Sequence, residues 1–203
     1  MAFRSRVPMT IVALLSVAVV IGCGSSSSSR SAHAASAAGP TGKVPTGYSV
    51  YRGYGFSFAL PPGFKRLPGS TPGLPAGAWS TSFSPAGEGP GVTNTEIVAI
   101  VNTNLQYTVG QVAANLRHAE STDPKVSSLQ MAQRDVPVPG ARAARVISES
   151  YIAPNPHTAY ERTWLMVSPK PGMLIDLIVV REPYRGANLD PNAVINSFHL
   201  GAR

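Results

Sequence analysis

"RTWLMVSPKPGMLIDLIVV", Arg162 to Val180, sets two apolar runs either side of Pro169-Lys170-Pro171-Gly172. Each run has strand length, and the Pro/Gly stretch between them is turn chemistry, so Tyr160–Ser168 and Met173–Val180 read as a hairpin. A strand with one wet face alternates apolar and polar residues. Met173–Val180 does not alternate; apart from Asp176 it is apolar throughout, which requires cover on both faces. Upstream, Ile97–Val101 reads the same way. Ser127–Val138 and Ala141–Ile152 are two further strands around Pro139-Gly140, and Ala78–Pro85 is another. In "GYSVYRGYGFSFALPPGF" (47–64), Phe56, Phe58 and Leu60 alternate with Ser57 and Ala59, giving two short strands around a Gly-centred turn that Pro61-Pro62 ends.

Helix signals are few. Thr108 and Gln111 have capping-box spacing, and Val109, Val112, Ala113 and Leu116 fall on one helical face. Asp190 followed by Pro191 marks a short final helix. The expectation is an α/β (α+β) fold: a mostly antiparallel sheet flanked by helices on both faces, an α/β/α sandwich.

The N-terminus has a different character. Arg4 and Arg6 precede an apolar stretch, Val7–Ile21, of about 15 residues, shorter than the roughly 20 that span a bilayer. That is the pattern of a secretory signal. The stretch ends in Val20-Ile21-Gly22-Cys23, which resembles the lipobox of bacterial lipoproteins. The resemblance implies diacylglycerol on the Cys23 thiol, cleavage before it, and acylation (palmitate among the chains) of the new amine. Cys23 is the chain's one cysteine, so no intramolecular disulfide forms. Gly24–Thr46 is rich in Ser, Ala, Gly, Thr and Pro and reads as a disordered tether or a glycosylated stalk. The expected division is signal peptide 1–22, tether 23–46 and one domain 47–203.

The chain carries 17 Lys and Arg against 10 Asp and Glu; without Arg4 and Arg6 the balance is 15 against 10, a net of +5. The cations are scattered and no nucleic-acid motif occurs, which argues against a nucleic-acid partner. Arg, Ala, Gly and Pro are abundant, a composition that suits a GC-rich bacterial genome.

Along the domain, "YGFSFALPPGF" (54–64), "VPVPGARAARVISESY" (136–151), the hairpin 162–180 and "INSFHL" (195–200) resemble the PsbP-like domain, and most closely the actinobacterial LpqN/LpqT-type lipoproteins. The resemblance implies the α/β/α sandwich already expected. It implies a mostly non-catalytic binding or assembly module and supplies no catalytic residues.

No hydrolase elbow, zinc signature or P-loop occurs. "GEGPGV" (87–92) breaks the dinucleotide fingerprint. His118, His157 and His199 have no nucleophile marked out beside them, and His118, Glu120 and Asp123 do not share a helix face. Asp176 is the most informative polar residue: an acid in a buried strand needs a partner. It is either a ligand contact in a cleft or a structural pair with Thr163. Tyr48, Tyr51, Arg52, Tyr54, Lys65 and Arg66 form either an interaction surface or a set of edge-strand residues shielding an exposed edge. The functional expectation is a non-enzymatic, lipid-anchored envelope lipoprotein on the extracytoplasmic face of the membrane, without cofactor or metal, that binds or scaffolds an envelope protein or lipid. The alternative is a carrier of a lipid or small apolar ligand between membrane and wall, and behind it an envelope hydrolase.

Overall fold

The computed structural model describes residues 39–68, 74, 76–86, 95–124, 126–154, 157–182 and 189–201. The hairpin around Pro169–Gly172 forms as two long strands, β8 (His157–Ser168) and β9 (Leu174–Arg181), counted in chain order after β1 (Ser49–Gly53), β2 (Phe56–Leu60), β3 (Phe64–Arg66), β4 (Ala78–Pro85), β5 (Glu96–Asn102), β6 (Ser127–Asp135) and β7 (Ala143–Pro154). Helix α1 (Val109–Thr122) lies between β5 and β6; α2 (Pro191–Asn196) and β10 (His199–Leu200) follow β9.

Seven strands build one antiparallel sheet in the order β3-β4-β5-β9-β8-β7-β6, and β1-β2-β10 build a second. β5 and β9 sit at the centre, where every residue from Ile97 to Val101 is buried, as apolar character on both faces requires. One face carries α1. Val109, Ala113 and Leu116 pack there against Val98, Ile100, Ile147, Trp164 and Ile178. The helix starts as its sequence indicates: Thr108 Oγ1 accepts from Gln111 N–H at 3.2 Å, and Thr108 N–H donates to Gln111 Oε1 at 2.9 Å.

The opposite face overturns the expected α/β/α sandwich. It is covered mainly by the three-stranded sheet, with six-residue α2 beside it, so the molecule is mostly β. The reason lies in 47–64. Tyr51, Phe56 and Phe58 project from one side of the β1–β2 hairpin, and their rings meet Phe83 of the large sheet and Phe198 after α2, with centroids 5.0 Å (Tyr51–Phe83), 5.8 Å (Phe58–Phe83) and 5.7 Å (Phe56–Phe198) apart. An aromatic layer of this size seals the face that a second helical layer would otherwise cover.

Ser197 ties the small sheet to α2. Just after the helix, before β10 begins, Ala59 N–H of β2 donates to Ser197 Oγ at 2.7 Å, and that hydroxyl donates to Val194 O at 2.6 Å. The long edge, β6, is polar, and its pairing with β7 is irregular between Ser127 and Gln130, where Ser128 takes φ +53°. Bulges and polar side chains of this kind guard an edge against unwanted pairing.

Ser197→Ala leaves the buried Ala59 N–H without its acceptor. It should lower the unfolding free energy by roughly 1–3 kcal/mol, read from the urea midpoint at constant slope; an unchanged midpoint means the amide has found another partner.

Candidate functional site

Three polar features stand out from the core. The most buried is on the α1 face. β7 and β8 pair Glu149 with Arg162, Ile147 with Trp164 and Tyr151 with Tyr160, so these side chains rise on one face beneath the last turn of α1. Arg162 Nη1 donates to Glu120 Oε1 at 2.6 Å and to Glu149 Oε1 at 3.1 Å, and Nη2 donates to Tyr151 Oη at 2.7 Å. Trp164 Nε1 donates to the same Glu149 oxygen at 2.5 Å. The guanidinium lies 5.0 Å from the Tyr151 ring centroid and 5.5 Å from that of Trp164. Burial works against the guanidinium's charge, but Glu149, Tyr151 and Glu120 outweigh it and raise its pKa. Glu149 is pushed up by burial, against the pull of Arg162, with Glu120 adding to the rise. The Glu149 side chain has no exposed surface, so no ligand reaches it. The cluster fastens α1 to the sheet. Glu120, weighed in the sequence beside His118 and Asp123, is turned inward to Arg162, while His118 is exposed.

Asp176 is the second feature. It stands opposite Met166 and Ile100 on the α1 face. Thr163 is opposite Val179, on the other face of the sheet, so the pairing considered for Asp176 does not form. The residue keeps some surface, but Oδ1 is sealed from solvent with no hydrogen-bond partner, and burial alone pushes its pKa up to about 7. A second buried acid, Glu96, is also raised by burial, and a hydrogen bond with Ser82 pulls it partly back.

The third feature is a cleft of about 560 Å³ at one end of the sandwich. Four elements meet there. The β1–β2 turn supplies Tyr54 and Gly55, the β6–β7 connection Pro139 and Gly140, the β8–β9 turn Pro169 and Lys170, and the end of β10 His199, Leu200 and Gly201; Met173 and Ile175 make the floor. Tyr54-Gly55 is a two-residue turn with φ of +51° and +80°. Such a turn favours Asn, Asp or Gly at its first position, so a tyrosine there is strained. Its ring is held against Trp79, centroids 3.8 Å apart, yet stays 55 % exposed at the cleft.

The chain enters the domain beside this cleft. Thr41 and Gly42 N–H donate to Asn196 O at 2.9 and 3.1 Å. Gly39 lies so close to the Pro137 carbonyl that a Cβ would collide with it, and a Cβ on Gly42 would sit 3.5 Å from His199. Gly39–Gly42, inside the span read as tether, thus lie against the domain.

Of the six aromatic and basic residues singled out in the sequence, Tyr51, Tyr54 and Arg66 come near one another. Burial raises the Tyr51 hydroxyl, Arg66 lowers it and Tyr54 raises it again. Tyr48 stands by Asp190 at the start of α2, Arg52 points from the opposite face of its hairpin, and Lys65 from the opposite face of β3 to Arg66. Val20–Cys23 and Gly87–Val92 lie outside the described residues. Sequence reasoning missed Glu149, Arg162, Tyr151, Trp164, Glu96 and the cleft. A usable signal for the cluster was charge inside strands of otherwise apolar character, "ISESY" and "YERTW".

Among the described residues, no helix is long and apolar enough to cross a membrane and no three His, Cys, Asp or Glu side chains gather as a metal site. No family model and no curated protein matches the chain.

Arg162→Met strands two buried acids and should cost roughly 3–5 kcal/mol of stability. Adding Glu149→Gln should recover part of that loss, so a double-mutant cycle by denaturant unfolding reads a coupling beyond simple additivity; additive losses refute a shared cluster. For Asp176, the folded carboxyl keeps a proton that the unfolded chain releases at lower pH. Its contribution is full below about pH 4 and is lost as pH rises through about 7, by up to about 4 kcal/mol. Asp176→Asn should flatten that slope and make the variant the more stable protein at pH 8; parallel pH profiles for the two refute a buried, unpartnered acid.

Proposed function

We propose that this chain is a lipid-anchored lipoprotein of the bacterial cell envelope, of the LpqN/LpqT type, and that its domain is a non-enzymatic binding module whose site is the end cleft. The observation that carries the reading is where the cleft lies relative to the point at which the chain enters the domain. Cys23 and Gly39 are 16 residues apart, and even a fully extended chain gains only roughly 3.3–3.6 Å per residue, or about 55 Å. The first described residues flank His199 and the Pro137 connection, both at the cleft. Anchoring at Cys23 would thus hold the entry of the domain, and the cleft beside it, within that reach of the membrane surface. Two or three acyl chains suffice for stable attachment, at roughly 0.8 kcal/mol per buried CH₂.

A cleft of about 560 Å³ falls within the roughly 300–1,000 Å³ typical of small-molecule sites. Between the two sheets, Phe58, Leu165, Leu177 and Val194 are fully buried, whereas the end of the sandwich is open. Binding therefore belongs at the end of the sandwich. The buried acids support no hydrolytic reading, since Glu149 is committed to Arg162 and Trp164, and Asp176 has no basic partner.

Cys23→Ser should leave the precursor uncut and without acyl chains, and release it from the membrane fraction of its host. Intact mass and lipid labelling check this; an unchanged mature mass refutes the anchor. Native mass on the protein extracted from its host should show a small bound molecule that denaturation removes, whereas a bare protein mass refutes a binding site for small molecules.

A further inference from the structure

We infer that the cleft takes a single-chain amphiphile with an anionic head, an inference that rests on the binding reading above. Two properties of the lining point to this ligand. The floor is apolar and continuous with the core: Met173 and Ile175 are buried and Leu200 packs beside them. The rim carries a lysine and a histidine, Lys170 and His199, and among the described residues the lining contains no carboxylate. Lys170 is exposed, and its ammonium has no ion-pair partner among the described residues. An apolar floor with one-signed charge at the mouth suits a ligand that is an alkyl chain at one end and an anion at the other. A neutral apolar ligand leaves Lys170 without a partner, and a cationic one meets repulsion.

Tyr54 completes the mouth. Its ring meets Trp79 at a tilt of 36° with centroids 3.8 Å apart, and the contact leaves a half-exposed ring lining the cleft. A ring fixed in this way gives the upper part of an alkyl chain a rigid apolar wall at low entropic cost. Head selection follows from Lys170.

Trp79 also supplies the measurement. The chain has two tryptophans, and Trp164 is sealed beneath α1, so a quencher in the cleft acts on Trp79. The lipidated full-length protein and its Lys170→Glu and Lys170→Arg variants are placed in identical phosphatidylcholine nanodiscs, which cancels partition into the bilayer. They are titrated with bromine-tailed dodecanoate, dodecanol and dodecyltrimethylammonium. Saturable quenching is expected with dodecanoate, and roughly tenfold weaker binding of the alcohol and the ammonium, as a lost charged hydrogen bond dictates. Lys170→Glu should weaken dodecanoate by a similar factor and Lys170→Arg should restore it. Equal binding of the three probes, or indifference to Lys170→Glu, overturns the anionic head. No saturable quenching overturns the amphiphile. The binding module itself then stands or falls separately, on whether the native mass carries a different small molecule or none.

Discussion

Both faces of β5 and β9 are apolar, and a sheet in that condition is stable only when something covers each side. The rest of the molecule follows from how that requirement is met. On one face a single helix lies across the sheet, seated by Val109, Ala113 and Leu116 and locked at its far end by Arg162. On the other face a hairpin of aromatic residues, closed by α2 and β10, does what a second helical layer would do. The two solutions are unequal in kind. The helix depends on one buried charge cluster, where removing a single partner is costly, whereas the hairpin depends on ring packing spread over five side chains.

That inequality also separates structure from binding. The α1 face holds the charged and perturbed groups, yet Arg162, Glu149 and Glu120 are tied to one another and Asp176 Oδ1 is sealed from solvent. The aromatic face is chemically plain, but its covering sheet is shorter than the sheet beneath, so a gap is left at one end. The gap inherits apolar walls from the core and Lys170 from the β8–β9 turn. Its position beside Gly39–Gly42 is a consequence of chain path, because the entering segment and β10 share the same corner.

Much of the local structure was legible in the sequence. Thr108 with Gln111, Asp190 with Pro191, Pro139-Gly140 and the double-faced runs each declare an element through chemistry confined to a few neighbouring residues. The architecture was less so. Phe56, Phe58 and Leu60 announce a buried face without saying against what, and the choice between a second sheet and a helical layer depends on contacts with Phe83 and Phe198, far away in the chain. Asp176 was visible as a buried acid, but register decides its neighbours and places Met166 opposite it instead of Thr163. Arg162 and Glu149 were hidden for the same reason: either charge, taken alone, is ordinary on a strand. The cleft had no local signature because four separate turns make it.

The stitching at that corner bears on how the domain is made. Thr41 and Ala59 wait for Asn196 and Ser197, which are 155 and 138 residues further along the chain. A chain that emerges N-terminus first therefore shows its first strands well before their partners appear. During that interval the aromatic hairpin has no sheet to lie on and no β10 beside it. Such long-range closure folds slowly and exposes apolar surface on the way. Whatever surface or chaperone lies near the chain in that interval is then part of the folding environment of this domain.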